Sequence, residues 1–374
     1  MRILTVLGTR PEIIKLSRII PKFDEYFKNY LIHTGQNYDY ELNKIFFKDL
    51  SIRKPDFFLK AATNNNIETI SNIIHKFGNI CKKIKPDAVF ILGDTNSGLA
   101  AITAKKFKIP IFHYEAGNRC FDINVPEEIN RKIIDHISDI NLTYSQIAKQ
   151  YLIKEGIPSR NIIKVGSPMK EIFNYNYKKI QKSQILKKLN LKKENFILVS
   201  FHREENVDDD KTLKNFIYLL KSVCKKTRKK IIISTHSRLR KNLKKLKHYR
   251  NKNLIFLKPL GFFDYINLMQ NSYVCLSDSG TITEEASILK IPAINLRDTN
   301  ERPEGMEEGT VMMTGTDLDK VMTAIKILKS KRSKLKIPKL IKDYNINFAS
   351  EKIVKIILSY KRYINKYSWL KKNI

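Results

Sequence analysis

Short, almost unbroken apolar runs rich in β-branched residues recur along this chain, each followed by a stretch of helical length. In the first half they lie at residues 2–7, 30–35, 87–92, 109–115, 139–145 and 161–166, and in the second at 195–201, 229–236, 253–259, 273–280 and 291–296. A strand with one wet face alternates apolar and polar residues. A strand covered on both faces does not, and that condition belongs to parallel sheets sandwiched between helices. The intervening segments read as those helices. PEIIKLSRIIPKFDEYF, for example, opens with Pro11 in its first turn and is read as one helix. The pattern predicts an α/β protein with two doubly wound, Rossmann-like parallel-sheet domains, at residues 1–170 and 171–344, joined near 167–182. A chain of 374 residues is long enough for two such cores. The last thirty residues, with IVKIILSYKRYINKYSWL, predict a closing amphipathic helix.

Composition excludes several classes. No apolar run approaches the ~20 residues of a membrane span. The opening MRILTVLGTRPE has no signal-peptide core or cleavage site, so a cytoplasmic location without a membrane span is expected. The four cysteines are far apart and form no CxxC pair, which argues against a disulfide framework or a zinc site. Cys275 reads as core, and Cys120, in a loop, leaves a nucleophilic role open. The formal net charge of +33 invites a nucleic-acid partner. Its lysines, however, are spread along the chain among Asn and Ile, with no basic-aromatic stripe, so no nucleic acid is expected. Steering of a small anionic substrate is the better use of that field.

In doubly wound folds ligands sit beyond the carboxyl ends of the strands, so what those ends carry decides the chemistry. The first run ends in GTRPEIIK, where Arg10 and a helix N-terminus suit a phosphate, although a turn with a salt-bridged Arg10 explains it equally. GDTNS supplies Asp94 and HYEAG supplies Glu115 at neighbouring strand ends. PEEINRK adds Glu127 or Glu128, with Arg131 one turn on. In the second half HREEN places His202 and Glu205 at a strand end, and STHSR places His236. SDSGTITEEA ends a strand with Asp278, Ser279 and Gly280 and starts a helix at Thr281, with Glu284 and Glu285 inside it. Free N–H groups there suit a diphosphate, and a carboxylate one turn in suits ribose hydroxyls. GxGxxG and GxxxxGK[ST] are both missing, which weakens dinucleotide and P-loop readings. No residues have metal-ligand spacing. The residues point to a nucleotide-sugar enzyme that needs no metal and no cofactor.

LGTRPEIIK, GDTNS, YEAGNR, PEEINR, FHREEN, LSDSGTITEEA and RDTNERPEG resemble, in order, the motifs of the non-hydrolysing UDP-N-acetylglucosamine 2-epimerases, and span residues 1 to about 315. The resemblance implies a GT-B arrangement of the two domains, with residues 345–374 crossing back to the first, and a homodimer. It implies nucleotide or substrate contacts at Arg10, Lys15, Arg131, His202, Ser279, Gly280, Thr281, Glu285 and Arg302. Asp94, Glu115, Glu127 and His202 resemble the catalytic set. The reaction implied is inversion at C2 of a UDP-2-acetamido sugar, by elimination of UDP to a 2-acetamidoglucal and re-addition. The usual TGQH reads TGQN here, with Asn37 in place of His, which puts allosteric activation by a second UDP-sugar in doubt. RCFDINVPEEINRKIIDHISD, GSPMKE and RPEGMEEGTVMM resemble a subgroup that forms UDP-N-acetyl-L-fucosamine. A GT-B glycosyltransferase would share the fold and the nucleotide seat and would be told apart by its need for an acceptor.

Overall fold

The apolar runs form two separate sheets in a computed structural model that describes residues 1–36, 40–201, 209–235, 237–243, 251–330 and 339–371. The first sheet contains β1 (Arg2–Leu7), β2 (Lys28–His33), β3 (Phe57–Phe58), β4 (Ala88–Leu92), β5 (Ile111–Ala116), β6 (Ile140–Thr143) and β7 (Ile162–Lys164). The second contains β8 (Phe196–Ser200), β9 (Lys230–Ser234), β10 (Leu254–Leu257), β11 (Cys275–Ser277), β12 (Ala293–Asn295) and β13 (Met312–Met313). Their orders are β3-β2-β1-β4-β5-β6-β7 and β10-β9-β8-β11-β12-β13. Every pairing in both sheets is parallel. This is the two-domain Rossmann-like architecture of the GT-B class. The edge strands β3 and β13 are absent from the sequence reading because two residues are too few to show a period.

Strand order reverses between β1 and β4 in one sheet and between β8 and β11 in the other, which opens a crevice at each reversal. The two compact units are Met1–Tyr175 with Asp343–Ile374, and Asn176–Lys342, so helix Met169–Gln181 runs through the boundary. Strand and helix side chains share each core: Leu4, Val6 and Val89 from strands with Ile73 and Phe77 from a helix in the first unit, and Ile197, Val199, Ile231 and Leu276 with Leu220 in the second. The segment expected as one helix from Pro11 is two, Arg10–Leu16 and Ile19–Tyr26. The reason is Pro21, whose ring would meet the carbonyl of Ser17 in a continuous helix.

The closing helix Ala349–Tyr363 packs on helix Ile19–Tyr26. Asp343, at the point of return, accepts from Lys164 Nζ at 2.6 Å and from Gln146 N at 2.9 Å. The carboxylate of Glu171 accepts from the Ser350 hydroxyl and from Ser350 N, the latter at 3.0 Å, so it satisfies an N–H that the first turn of the closing helix leaves without an intrahelical partner. Among the described residues, no helix is long and apolar enough to cross a membrane.

Glu171→Ala should therefore cost about 1 kcal/mol, the usual loss of a helix cap. Amide hydrogen exchange should quicken across residues 349–357 while the second sheet stays protected; unchanged exchange there would refute the capping role.

Candidate active site

At the end of β1 the chain turns into helix Arg10–Leu16 with Thr9 as its N-cap. Glu12 folds back to receive the Gly8 and Thr9 N–H groups on Oε2 at 2.6 and 2.7 Å. Its Oε1 accepts from Thr95 Oγ1 at 2.6 Å, so one buried carboxyl joins the loop after β1 to the loop after β4. Burial pushes the Glu12 carboxyl up to about 7, and the hydrogen bonds from Thr95, Gly8 and Thr9 offset only part of that rise. Gly8 has to be glycine, since a Cβ there would lie 2.1 Å from Thr34 Oγ1 and 2.2 Å from Ser97 Oγ. The sequence reading passed over Glu12, although Thr9-x-x-Glu12 is a capping-box spacing. Half-buried Arg10 places its guanidinium 5.7 Å from the centre of the Phe46 ring.

The predicted carboxylates lie at the ends of β4 and β5, each beside a cation. Lys15 Nζ donates to both oxygens of Glu115 at 2.7 Å, and Tyr144 Oη adds a third bond at 3.3 Å. Glu115 has a backbone φ of 72°, a left-handed conformation unusual for glutamate. The register against β6 shifts between Tyr114 and Ala116, so Glu115 sits on a bulge that turns it out of the strand. Its Oε2 comes close to Gly93, where an added Cβ would be 3.6 Å away. Next along β4's exit, Asp94 accepts from Arg131 Nε at 2.7 Å and, through its carbonyl, from Asn130 Nδ2 at 3.0 Å.

Helix Pro126–Ile137 separates the two neighbouring glutamates into different jobs. Glu128 is buried and receives Arg131 Nη1 at 2.8 Å and the Cys120 and Phe121 N–H groups at 3.1 Å each. Burial pushes this carboxyl up, but the Cys120 N–H and the Arg131 guanidinium outweigh it and hold it below the usual range. Glu128 therefore anchors the 118–122 loop, and Glu127 beside it is half-buried. The Cys120 thiol is pushed up, mainly by burial, which removes the thiolate that a nucleophilic role needs.

In the second unit Ser279, Gly280 and Thr281 follow β11 into helix Ile282–Leu289. Ser279 Oγ and Thr281 Oγ1 are 2.9 Å apart, and Thr281 donates to Glu285 Oε1 at 3.2 Å, so three of the predicted nucleotide residues form one chain. Arg302 joins a different set. It is buried, with Nε on Glu284 at 3.0 Å and Nη1 on Glu301 at 3.3 Å, and Glu301 also receives Arg297 Nη1 at 2.6 Å. A Cβ on Gly280 would stand 1.9 Å from Glu301 Oε1, so only glycine lets this network approach the turn. His202, Glu205, His236 and Asn37 lie outside the described residues. Among the described residues, no three His, Cys, Asp or Glu side chains are grouped to hold a metal ion.

Comparison with known proteins gives this arrangement a family. The sequence profile described as UDP-N-acetylglucosamine 2-epimerase matches residues 22–358. The chain belongs to the UDP-N-acetylglucosamine 2-epimerase family. The structure of the Rickettsia bellii UDP-N-acetylglucosamine 2-epimerase is 47% identical, with a TM-score of 0.92 over 99% of this chain and 100% of that one. The Methanocaldococcus jannaschii UDP-GlcNAc 2-epimerase, solved with UDP-GlcNAc and UDP, is 36% identical, with a TM-score of 0.88 over 96% and 100%. The Pseudomonas aeruginosa UDP-2,3-diacetamido-2,3-dideoxy-D-glucuronate 2-epimerase is 31% identical over 86% of this chain and 90% of its own length. Family membership favours an epimerase over a glycosyltransferase, a choice that the GT-B fold by itself leaves open.

Glu12 generates a prediction about pH. Its folded-state value of about 7, against an ordinary 4.5, means that folding takes up a proton between those pH values. Stability is then highest below pH 4.5 for this group and falls as pH rises towards 7, by roughly 3 kcal/mol. Glu12→Gln should remove that slope. Denaturant titrations at pH 5 and pH 8 should show a smaller pH difference in the variant than in the wild type, and equal differences would refute the assignment.

Proposed function

We propose that the protein inverts C2 of a UDP-2-acetamido sugar, UDP-GlcNAc first among them, by eliminating UDP and adding it back. The observation that carries this reading is the pair of carboxylates, Asp94 and Glu115, leaving adjacent strands at the reversal point of the first sheet, each held by a cation. The C2 hydrogen of such a sugar has no neighbouring carbonyl and is not acidic. Breaking the C1–O bond first leaves positive charge beside C2, and a carboxylate then takes the proton to give a 2-acetamidoglucal. Protonation from the other face and return of UDP complete the inversion, so two faces need two acid–base groups.

Asp94, Glu115 and Glu127, with His202, supply those groups in this reading. Lys15 and Arg131 orient two of them: Lys15 lies 2.7 Å from both Glu115 oxygens, and Arg131 locks Asp94 to the helix that carries Glu127. Arg10 and the turn Ser279–Gly280–Thr281 would take the charge of the departing diphosphate. Glu285, one turn into its helix, would accept from the ribose, and Arg302 would support the turn from below through Glu284 and Glu301. No step calls for a metal or cofactor. A cytoplasmic homodimer is the expected state, which sedimentation of the purified protein would test.

Reaction in D₂O tests the chemistry. The epimerised product should carry deuterium at C2, and product retaining protium would overturn the elimination. The substrate panel is UDP-GlcNAc, the diacetamido-glucuronate analogue and the UDP-6-deoxy-L-talosamine derivative, the last because of the motifs shared with the L-fucosamine-forming subgroup. Turnover should persist in EDTA. Asp94→Asn, Glu115→Gln and Glu127→Gln should each slow turnover by ~100-fold or more, as loss of an acid–base group does. Glu285→Ala should weaken UDP binding by about 1–3 kcal/mol in calorimetry; unchanged affinity would move the nucleotide elsewhere.

A further inference from the structure

One buried carboxylate reaches every segment that carries a proposed acid–base group in the first unit, directly or through His113, without being one itself. Asp135, on helix Pro126–Ile137, is about 1% exposed. Its Oδ1 lies 2.8 Å from His113 Nδ1, off the direct hydrogen-bond axis, and its oxygens accept Gly117 N at 3.2 and 3.3 Å. Arg119 Nη1 donates to Oδ2 at 2.7 Å, and the rest of that buried guanidinium is clamped by Glu155 at 2.6 and 2.8 Å. On its far side the His113 ring meets the Gly93 carbonyl, with Nε2 at 2.9 Å. A carbonyl oxygen only accepts, so Nε2 is the donor.

These contacts are placed around the reactive residues. Gly93 immediately precedes Asp94. His113 and Gly117 bracket Glu115, two residues before it and two after. Asp135 shares its helix with Glu127 and with Arg131, which holds Asp94. Glu115 itself is in the left-handed backbone region, a conformation that persists only where the surroundings over-determine it. Asp135 supplies that constraint from both sides. A buried charged network of this kind is a poor source of stability, because apolar residues of the same volume would serve as well; what it does offer is one fixed geometry. Burial pushes Asp135 up, while His113 and Arg119 outweigh it and hold its carboxyl below the usual range, so Asp135 itself stays ionised at neutral pH.

We propose that Asp135 and His113 are positioning residues for the epimerisation: together they pin the strained turn carrying Glu115 and hold it in register with Asp94 and with the helix carrying Glu127. The proposal rests on the function proposed above. Its consequence differs from that of losing a core residue. A displaced acid–base group leaves elimination possible and mistimes the return of the proton, so intermediate escapes before UDP adds back.

The test compares full-length wild type, Asp135→Asn, His113→Gln and, as a core control, Ile73→Ala, whose side chain is buried on helix Asn66–Ile84. With UDP-GlcNAc in D₂O, kcat, KM and the ratio of released 2-acetamidoglucal to epimer are measured, and calorimetric UDP titration counts folded sites. Both network variants should lose on the order of 100-fold in kcat per folded site, the scale expected of a small misplacement, with KM nearly unchanged and the glucal ratio raised several-fold. Ile73→Ala should lose stability with no change in the ratio, which does not depend on how much protein is folded. Should Asp135→Asn fail to fold, His113→Gln alone decides. A wild-type ratio and kcat per site in a folded network variant overturns the positioning role and leaves the function intact. A wild type inert on every sugar in the panel overturns the function, and the positioning role with it.

Discussion

A parallel sheet sends all its strands' carboxyl ends to the same edge, and the placement of reactive groups in this protein follows from that constraint. In the first sheet β4 pairs with β5 in a register that sets Leu92 beside Tyr114. Gly93 and Asp94 follow β4 directly, and Glu115 follows Tyr114 at the bulge near the end of β5. Two carboxylates more than twenty positions apart in sequence thus leave the sheet side by side, beside the reversal of strand order between β1 and β4. The bulge at Glu115 then aims one of them out of the strand. Loss of the parallel register would scatter these groups, however well each helix folded.

Cations stand beside these acids and beside others buried in both units. Lys15 serves Glu115, Arg131 serves both Asp94 and Glu128, Arg119 serves Asp135 and Glu155, and Arg302 serves Glu284 and Glu301. Ion pairs this deeply buried repay little more than their own desolvation, so geometry is their main contribution. The thiols stand apart from the chemistry. Burial pushes Cys81 and Cys275 up to about 12 and raises Cys120 as well, which leaves these cysteines as small apolar residues rather than nucleophiles.

Much of the site was legible because strand-end positions can be read from local pattern. Asp94, Glu115, Ser279 and Thr281 each lie within two residues of the end of an apolar run, and the two sheets and their helices were expected from the same runs. Arg131 and Arg302 were read as substrate contacts; the structure adds protein carboxylates as partners, Asp94 and Glu128 for the first and Glu284 and Glu301 for the second, and Asp94 and Glu284 are far from them in sequence. Glu12 shows the limit best. Its capping of Thr9 is local and has a sequence signature, whereas its bond to Thr95 spans 83 residues and has none. Asp135 is similar, since nothing in IIDHIS marks it as the partner of His113, Gly117 and Arg119. Pro21 broke an expected helix through one clash with the turn behind it.

Residue order and side-chain type by themselves determined the strands, the helices, the two-domain α/β class and the acids at the strand ends, because those depend on periodicities of two to four residues and on turn chemistry. Tertiary structure decided which acid meets which base. Whether Glu127 or Glu128 becomes the buried anchor, whether Lys15 reaches Glu115, and which histidine lies against Asp135 depend on how strands far apart in sequence align once their common core excludes water. That alignment places a charge within 3 Å of its partner or leaves it in solvent, and at such distances and burial an interaction that is negligible in water becomes strong enough to choose the geometry.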